Sequence, residues 1–419
     1  MLKNNKILNN YNIFDSFLAN ISHTNNFLYN SFLSIRLVYS ASYGKEDISR
    51  KETVIDFLKV VYFLLKICIT KSFLEIKDRD ILIIGSNRVD NEISNILKIP
   101  NTSVVFSKKI FSFTKKDIDI YITFYRCLKL YKKYKILDFK ILLKSLPSLI
   151  DFLIVNRDIE LSNLKVLVME GDAVPVNMAL IFKAKENNIK TIKIDNFLID
   201  PINHNRVFCD YYFYPSHYHL KIMKSFTSND SVKYIEGGIV HWDNLVKYKK
   251  ELNNNKREIT FFSQHSEISK REINYIEEII SLMQENDYLN IKIHPLDKSN
   301  RFDIYLNNPK IKLYKDTIDN YQLISKSEIC LSICSTLSLE SKHICEKTYF
   351  INYFIEEFQG YIDYDIFNNF IYTIRSHSDL KEVLLNKNKI FPITEFIKNF
   401  NISFPNSSEK LKELIHTIY

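Results

Sequence analysis

Glycine is scarce in this chain. Its 419 residues include 6 glycines, and neither GxGxxG nor GxxxxGK[ST] occurs. Those loops need glycine because the backbone must turn tightly and approach a phosphate closely. Their absence excludes the P-loop, kinase and dinucleotide fingerprints. Cysteine is equally sparse: six residues, at 68, 127, 209, 330, 334 and 345, form no CxxC pair. That scatter argues against a metal site and predicts reduced, mostly buried thiols in a cytosolic setting. The first residues are polar and Asn-rich rather than basic and then apolar, so no secretory leader is expected. Long apolar runs are missing too. The nearest, "VIDFLKVVYFLLKICI" at 54–69, is interrupted by Asp56, Lys59 and Lys66 and falls short of the roughly 20 apolar residues of a membrane span. It reads as an amphipathic helix, either buried in the protein or lying at a membrane interface.

What is present describes a folded protein. Hydrophobic residues make up 46% and charged residues 25%, ordinary values for a globular chain. The length predicts two domains rather than one core. The net charge of +8 is unevenly placed. Residues 125–144, "YRCLKLYKKYKILDFKILLK", carry Arg126, Lys129, Lys132, Lys133 and Lys135 among aromatic and aliphatic residues. Such a stretch fits an anionic membrane surface or an anionic polymer, with a solvated helix face as the plain alternative. No nucleic-acid-binding motif accompanies it, so nucleic acid is not an expected partner.

Apolar periodicity divides the chain further. Residues 1–75 read as helices. "DILIIGSN" (80–87) is a strand with a helical pattern behind it. "LKVLVMEGDAVPVNMALIFKAKENNIKTIKID" reads as strand, loop, helix and strand, a βαβ unit of a parallel sheet. The polar, Asn-rich segment 247–257 is the predicted linker. After it the alternation restarts with "EITFFSQ", "LNIKIHP", "IKLYKD", "EICLSICS" and "KTYFINY" as strands, and "SSEKLKELIHTIY" closes the chain as a serine-capped helix. The reading is α/β: an N-terminal Rossmann-like domain over 1–246 with extra N-terminal helices, and a C-terminal one over 258–419. Doubly wound sheets bind ligands beyond the carboxyl ends of their strands, so a central cleft between the domains is expected to hold the site.

Three places offer chemistry at strand ends. In "MEGDAVPVN" (169–177), Glu170 and Asp172 directly follow a strand, where a carboxylate suits a general base; capping the next helix is the plain alternative for Asp172. In "IKIHPLDKSN" (291–300), Pro295 stops a strand just after His294; an imidazole there suits a leaving phosphate, and an ordinary solvent-exposed loop histidine is the plain alternative. In "SICSTLSLES" (332–341), Ser335 and Thr336 stand where a helix begins, with Glu340 on its first turns. Small hydroxyls and free backbone amides there either hold an anion or simply cap the helix. The chain between His294 and Ser335 accommodates a strand, a short helix and a strand, which puts both motifs on one sheet. Asp-x-Asp triplets at 117–119 and 363–365, and the neighbouring His217 and His219, are discounted as metal sites.

"IKIHP" followed by "ICLSICSTLSLES" resembles the His-Pro and Ser/Thr motifs of the GT-B glycosyltransferases of bacterial surface polysaccharides, a group that includes polysialyltransferases, capsule Kdo transferases and glycerophosphate polymerases. "MEGD…ALIFKAKENNIKTIKI" and "YIEGGIVHWDNL" extend the likeness over roughly residues 164–353. The resemblance implies an inverting enzyme that needs no metal or other cofactor and uses a nucleotide-sugar, best a CMP-linked sialic acid or Kdo-like sugar, with a capsule or lipopolysaccharide glycan as acceptor. His294, with Pro295 holding its loop, would contact the donor phosphate. Ser335 and Thr336 would hold the same phosphate, Glu340 would meet the ribose, and Glu170 or Asp172 would deprotonate the acceptor. The enzyme would work on the cytosolic face of an inner membrane. One departure stands out: where relatives carry His-Gly, this chain reads "KIDNFLIDP". A nucleotide-sugar epimerase of related shape and a non-catalytic glycan- or nucleotide-binding protein remain the competing readings.

Overall fold

The computed structural model describes residues 12–19, 50–74, 79–85, 88–108, 114–134, 138–172, 174–195, 207–226, 231–251, 256–264, 269–295, 297–315, 319–333, 335–351, 353, 371–385, 394 and 405–419. Two compact units emerge: Met1–Val240 together with Ser408–Tyr419, and His241–Ser407.

The first unit holds a six-stranded sheet of β2 (Ile81–Ile84), β3 (Asn101–Thr102), β5 (Val166–Met169), β6 (Lys190–Ile194), β7 (Tyr211–Tyr214) and β8 (Lys233–Glu236), in the order β3-β2-β5-β6-β7-β8. All neighbours are parallel. Such strands are covered on both faces and therefore read as continuous apolar runs; every residue of "VLVM" is buried. One face packs under the helices Phe139–Asp158 and Pro175–Glu186, whose Leu149, Leu153, Leu180 and Ile181 share a core with Leu167 and Met169. The other face buries Ile83, Val166 and Ile192 against Leu411, Leu414 and Ile415 of the terminal helix Ser407–Ile418.

Residues 1–75 are not helical throughout. The helix Arg50–Ile69 gives way to β1 (Thr70–Leu74), which pairs antiparallel with β4 (Val104–Lys108) in a separate two-stranded sheet. The alternating burial of "TKSFL" suits a strand with one covered face, and its Ser72 N–H is held by Asp158 at 2.8 Å.

The second unit holds β9 (Arg257–Phe262), β10 (Asp287–Lys292), β11 (Ile311–Tyr314), β12 (Ile329–Ser332), β13 (Thr348–Ile351) and β14 (Tyr372–Ile374). Their order is β11-β10-β9-β12-β13-β14, parallel throughout. Counted in chain order, that is the 3-2-1-4-5-6 arrangement of a Rossmann-type sheet.

The domain limits differ from the sequence reading in two respects. The second unit begins at His241 rather than after a linker at 247–257, because the 3-10 turn Val240–Lys247 already buries His241, Trp242 and Leu245. The last residues of the chain, 408–419, belong to the first unit rather than to the second, and their apolar stripe packs there.

Candidate functional site

In the second unit the winding reverses between β9 and β12, which makes their carboxyl ends the switch point where such sheets bind ligands. Register aligns three strand ends in one row: Lys292 of β10 lies opposite Phe262 of β9, and Phe262 opposite Ser332 of β12. His294, Ser263 and Ser335 therefore follow neighbouring strands. The His294 backbone N–H donates to the Ser263 hydroxyl at 2.9 Å, and the Ser263 N–H to the Lys292 carbonyl at 3.0 Å. His294 is half-buried and Pro295 exposed. Asp297 N–H closes a turn back onto the His294 carbonyl at 2.9 Å. The histidine thus stands on a loop fixed at both ends by backbone bonds.

Ser335 is the N-cap of the seven-residue helix Thr336–Lys342, its hydroxyl accepting from Leu337 N–H at 3.2 Å. Thr336 opens that helix. Glu340 is almost enclosed, at 3% exposure. One of its oxygens lies 3.1 Å from His241 Nε2 and the other accepts from the Tyr321 hydroxyl at 2.8 Å. His343, nearby on Trp242 with ring centroids 4.6 Å apart, is pushed down to about 4 by burial. Sequence reasoning missed His241 and Tyr321. Nothing in the pattern singles out His241, in a turn of mixed polarity, or Tyr321, on a short helix, because pattern alone does not pair positions remote in the chain.

A second polar group braces the β9 loop. Arg301 reaches Glu272 at 2.7 Å, Asp297 at 2.8 Å and the Gln264 carbonyl at 2.9 Å. Glu272, on the helix Ser269–Leu282, has no exposure and also accepts from the Gln264 N–H at 2.6 Å. Burial pushes its carboxyl up, against the opposing pull of Arg301. This bracing ties together the loops that follow β9 and β10, the same loops that carry Ser263 and His294.

In the first unit, Glu170 directly follows β5 and is half-buried, while Asp172 has no exposure at all. Asp172 does not cap the following helix: the cap position of Pro175–Glu186 is Val174, with Pro175 in the first turn. Its carboxylate instead meets Lys193 Nζ at 2.8 Å with one oxygen and accepts the Phe208 N–H at 2.7 Å with the other. Lys193, on β6, is fully enclosed. Burial would lower its pKa, but the carboxylates of Asp172 and Asp195 outweigh that and raise it. Asp195, hydrogen-bonded to the Tyr212 hydroxyl, is pushed up to about 6 by burial, with Lys193 pulling the other way. Removing one partner from such a buried pair costs roughly 3–5 kcal/mol. The sequence reading left the choice between Glu170 and Asp172 open; the structure leaves Glu170 half-buried and encloses Asp172. Lys193, Asp195 and Tyr212 were not foreseen, since a lysine inside "KTIKI" looks like an outward-facing strand position. A cavity of about 430 Å³ lies at the other, amino-terminal edge of this sheet, lined by Lys71, Ser72, Arg79, Asp158 and Glu160, away from these groups.

Arg126, Lys129, Lys132 and Lys133 are exposed on the helix Lys115–Tyr134; Lys135 lies outside the described residues. His217 and His219 stand in the first turn of the helix His217–Phe226 in separate surroundings. His217 is near Glu236 at 3.5 Å, whereas buried His219 bonds to the Ser216 hydroxyl at 2.8 Å and is held neutral by burial, at about 3. Asp117 of the first Asp-x-Asp triplet is buried against Arg157; the second triplet, at 363–365, lies outside the described residues.

No family model matches the sequence, and no curated protein matches it. Among solved structures, the chain is similar to the wall teichoic acid polymerase TagF, H444N variant, at 13% identity and a TM-score of 0.50, covering 88% of this chain and 98% of that one. It is also similar to a UDP-GlcNAc 2-epimerase from Neisseria meningitidis bound to UDP-GlcNAc, at 13% identity, TM-score 0.48, covering 80% of this chain and 99% of the other. A UDP-GlcNAc 2-epimerase from Methanocaldococcus jannaschii gives 14%, TM-score 0.47 and the same coverage. The likeness to TagF shows the fold: two doubly wound α/β units, the GT-B architecture.

Proposed function

We propose that the chain is an inverting glycosyltransferase that moves a sugar from a nucleotide donor, best a CMP-linked acidic sugar, to a glycan acceptor. The observation that carries this reading is the row of strand ends at the switch point of the second unit, where His294, Ser263 and Ser335 follow β10, β9 and β12 side by side. A half-buried histidine at a strand end next to those that precede Ser263 and Ser335 suits a phosphate that departs with negative charge. In this mechanism Glu170 takes the proton of the acceptor hydroxyl, whose oxygen attacks the anomeric carbon. The bond from that carbon to the donor phosphate oxygen breaks, and the phosphate leaves on a hydrogen bond from His294, with Ser335 and Thr336 beside it. Pro295 follows His294 within the loop after β10 and restrains the backbone beside it. Asp172 supports the β5 end through Lys193, because an enclosed carboxylate does not reach an acceptor. Glu340 keeps a supporting role as well, since its oxygens are engaged by His241 and Tyr321. No metal is assigned a step.

The test is release of nucleotide from CMP-, UDP- and GDP-sugars, with and without glycan acceptor. Acceptor-dependent release is expected, and His294→Ala should lower it by about 100-fold or more while leaving the circular dichroism spectrum unchanged. Near-normal transfer by that variant removes His294 from the mechanism. Sugar interconversion without acceptor assigns the chain to the epimerases instead, and a folded protein that turns over no donor fits only a binding role.

A further inference from the structure

Among the described residues, the helix Arg50–Ile69 carries a row of large apolar side chains that stay exposed. Phe57, Leu58, Tyr62 and Leu65 are 56%, 59%, 60% and 64% exposed, with Ile55 and Val61 also open. Leu58, Val61, Tyr62 and Leu65 recur at helical spacing and form one stripe. The opposite face is already used: Val60 and Ile67 lie in the core of the first unit, and Lys66 bonds to Asp151 at 3.3 Å. Soluble surfaces scatter large apolar side chains singly, so a contiguous stripe marks a contact surface.

A second helix lies against this one and carries an exposed face of mixed chemistry. Tyr121, on Lys115–Tyr134, donates its hydroxyl to the Leu64 carbonyl at 2.7 Å, which sets the two helices against each other. The neighbours of Tyr121 on that helix, Ile118, Ile122 and Tyr125, are exposed. One turn on, the same exposed face becomes basic with Arg126, Lys129, Lys132 and Lys133, Asp119 being its acid at the other end. Lys59, at the edge of the apolar stripe, is also exposed. Among the described residues no helix is long and apolar enough to cross a membrane. Apolar and aromatic residues framed by lysines are instead the pattern of helices that lie in the headgroup region, with the cations on anionic lipids. A second copy of the chain covering this face would bring the same cations into the contact, whereas anionic headgroups neutralise them.

We infer that the exposed faces of Arg50–Ile69 and Lys115–Tyr134 form a docking surface for an anionic lipid bilayer. The inference is independent of the donor chemistry, because it rests on residues the transfer step does not use. The experiment is sedimentation of the full chain with vesicles of phosphatidylcholine alone or mixed with phosphatidylglycerol. Binding to the mixed vesicles, weakened by salt and absent from the neutral ones, is expected. Lys129→Glu with Lys132→Glu and Lys133→Glu should reduce partitioning by about tenfold or more, and Leu58→Glu with Leu65→Glu should abolish it. All five positions except Leu58 and Leu65 are polar and all are exposed, so melting temperatures should hold, which checks that the variants fold. Equal binding to both vesicles, no binding to either, or full binding by the variants overturns the inference. A dimer in ultracentrifugation that Leu58→Glu with Leu65→Glu dissociates, without vesicle binding, assigns the face to a second copy.

Discussion

Lys193 sits on a parallel strand with no exposure, and two carboxylates share its charge. Asp172 meets the ammonium at 2.8 Å, while Asp195, bonded to Tyr212, is held up to about 6 by burial. The folded chain therefore binds the Asp195 proton more tightly than the unfolded chain, where an ordinary carboxyl titrates near 4. This group adds stability that is full below about pH 4 and is lost as pH rises through about 6. Urea midpoints measured from pH 4 to 7 should fall more steeply for the native chain than for Asp195→Asn; parallel profiles would show that Asp195 carries no such proton. At this scale the sequence marked the strand ends that carry Glu170, His294 and Ser335, because proline and small polar residues interrupt apolar runs there. It did not mark Lys193, His241 or Tyr321. A side chain becomes a partner through distance, and pattern holds no distances between remote positions.

Individual strands and helices were read well wherever the period was unbroken. The run "LKVLVMEGD" to "IKTIKI" predicted β5, a helix and β6, and all three occur with limits close to those read from the sequence. β1 escaped because five residues of alternating burial follow directly on a helix, and the helical period runs on into them. The Gly-Gly pair after β8 shows what a turn demands. A Cβ on Gly237 would lie 2.2 Å from the Phe213 ring, and Phe213 is itself fully buried in β7. Gly237→Ala should therefore cost about 1–3 kcal/mol through overpacking, read as a lower urea midpoint. A midpoint equal to the native chain's would mean that the ring moves aside freely.

At the scale of the whole molecule, the last helix returns to the first unit. Leu411, Leu414 and Ile415 fill the face of the first sheet that Ile83, Val166 and Ile192 present. Leu411→Ala should cost about 2–5 kcal/mol, and the loss should appear in the unfolding of the first unit, followed by hydrogen exchange of β2, β5 and β6. Protection lost only in the second unit would contradict this packing. The amino-acid sequence by itself determined the class of the fold, since continuous apolar strands alternating with helices leave little choice but two parallel, doubly wound sheets. Only the tertiary structure decided that the terminal helix closes the first unit, that Asp172 is spent on Lys193, and that the apolar run at 54–69 turns one of its faces outward. Each of those outcomes depends on which surfaces meet, and an apolar stripe states that it must be covered without stating by what.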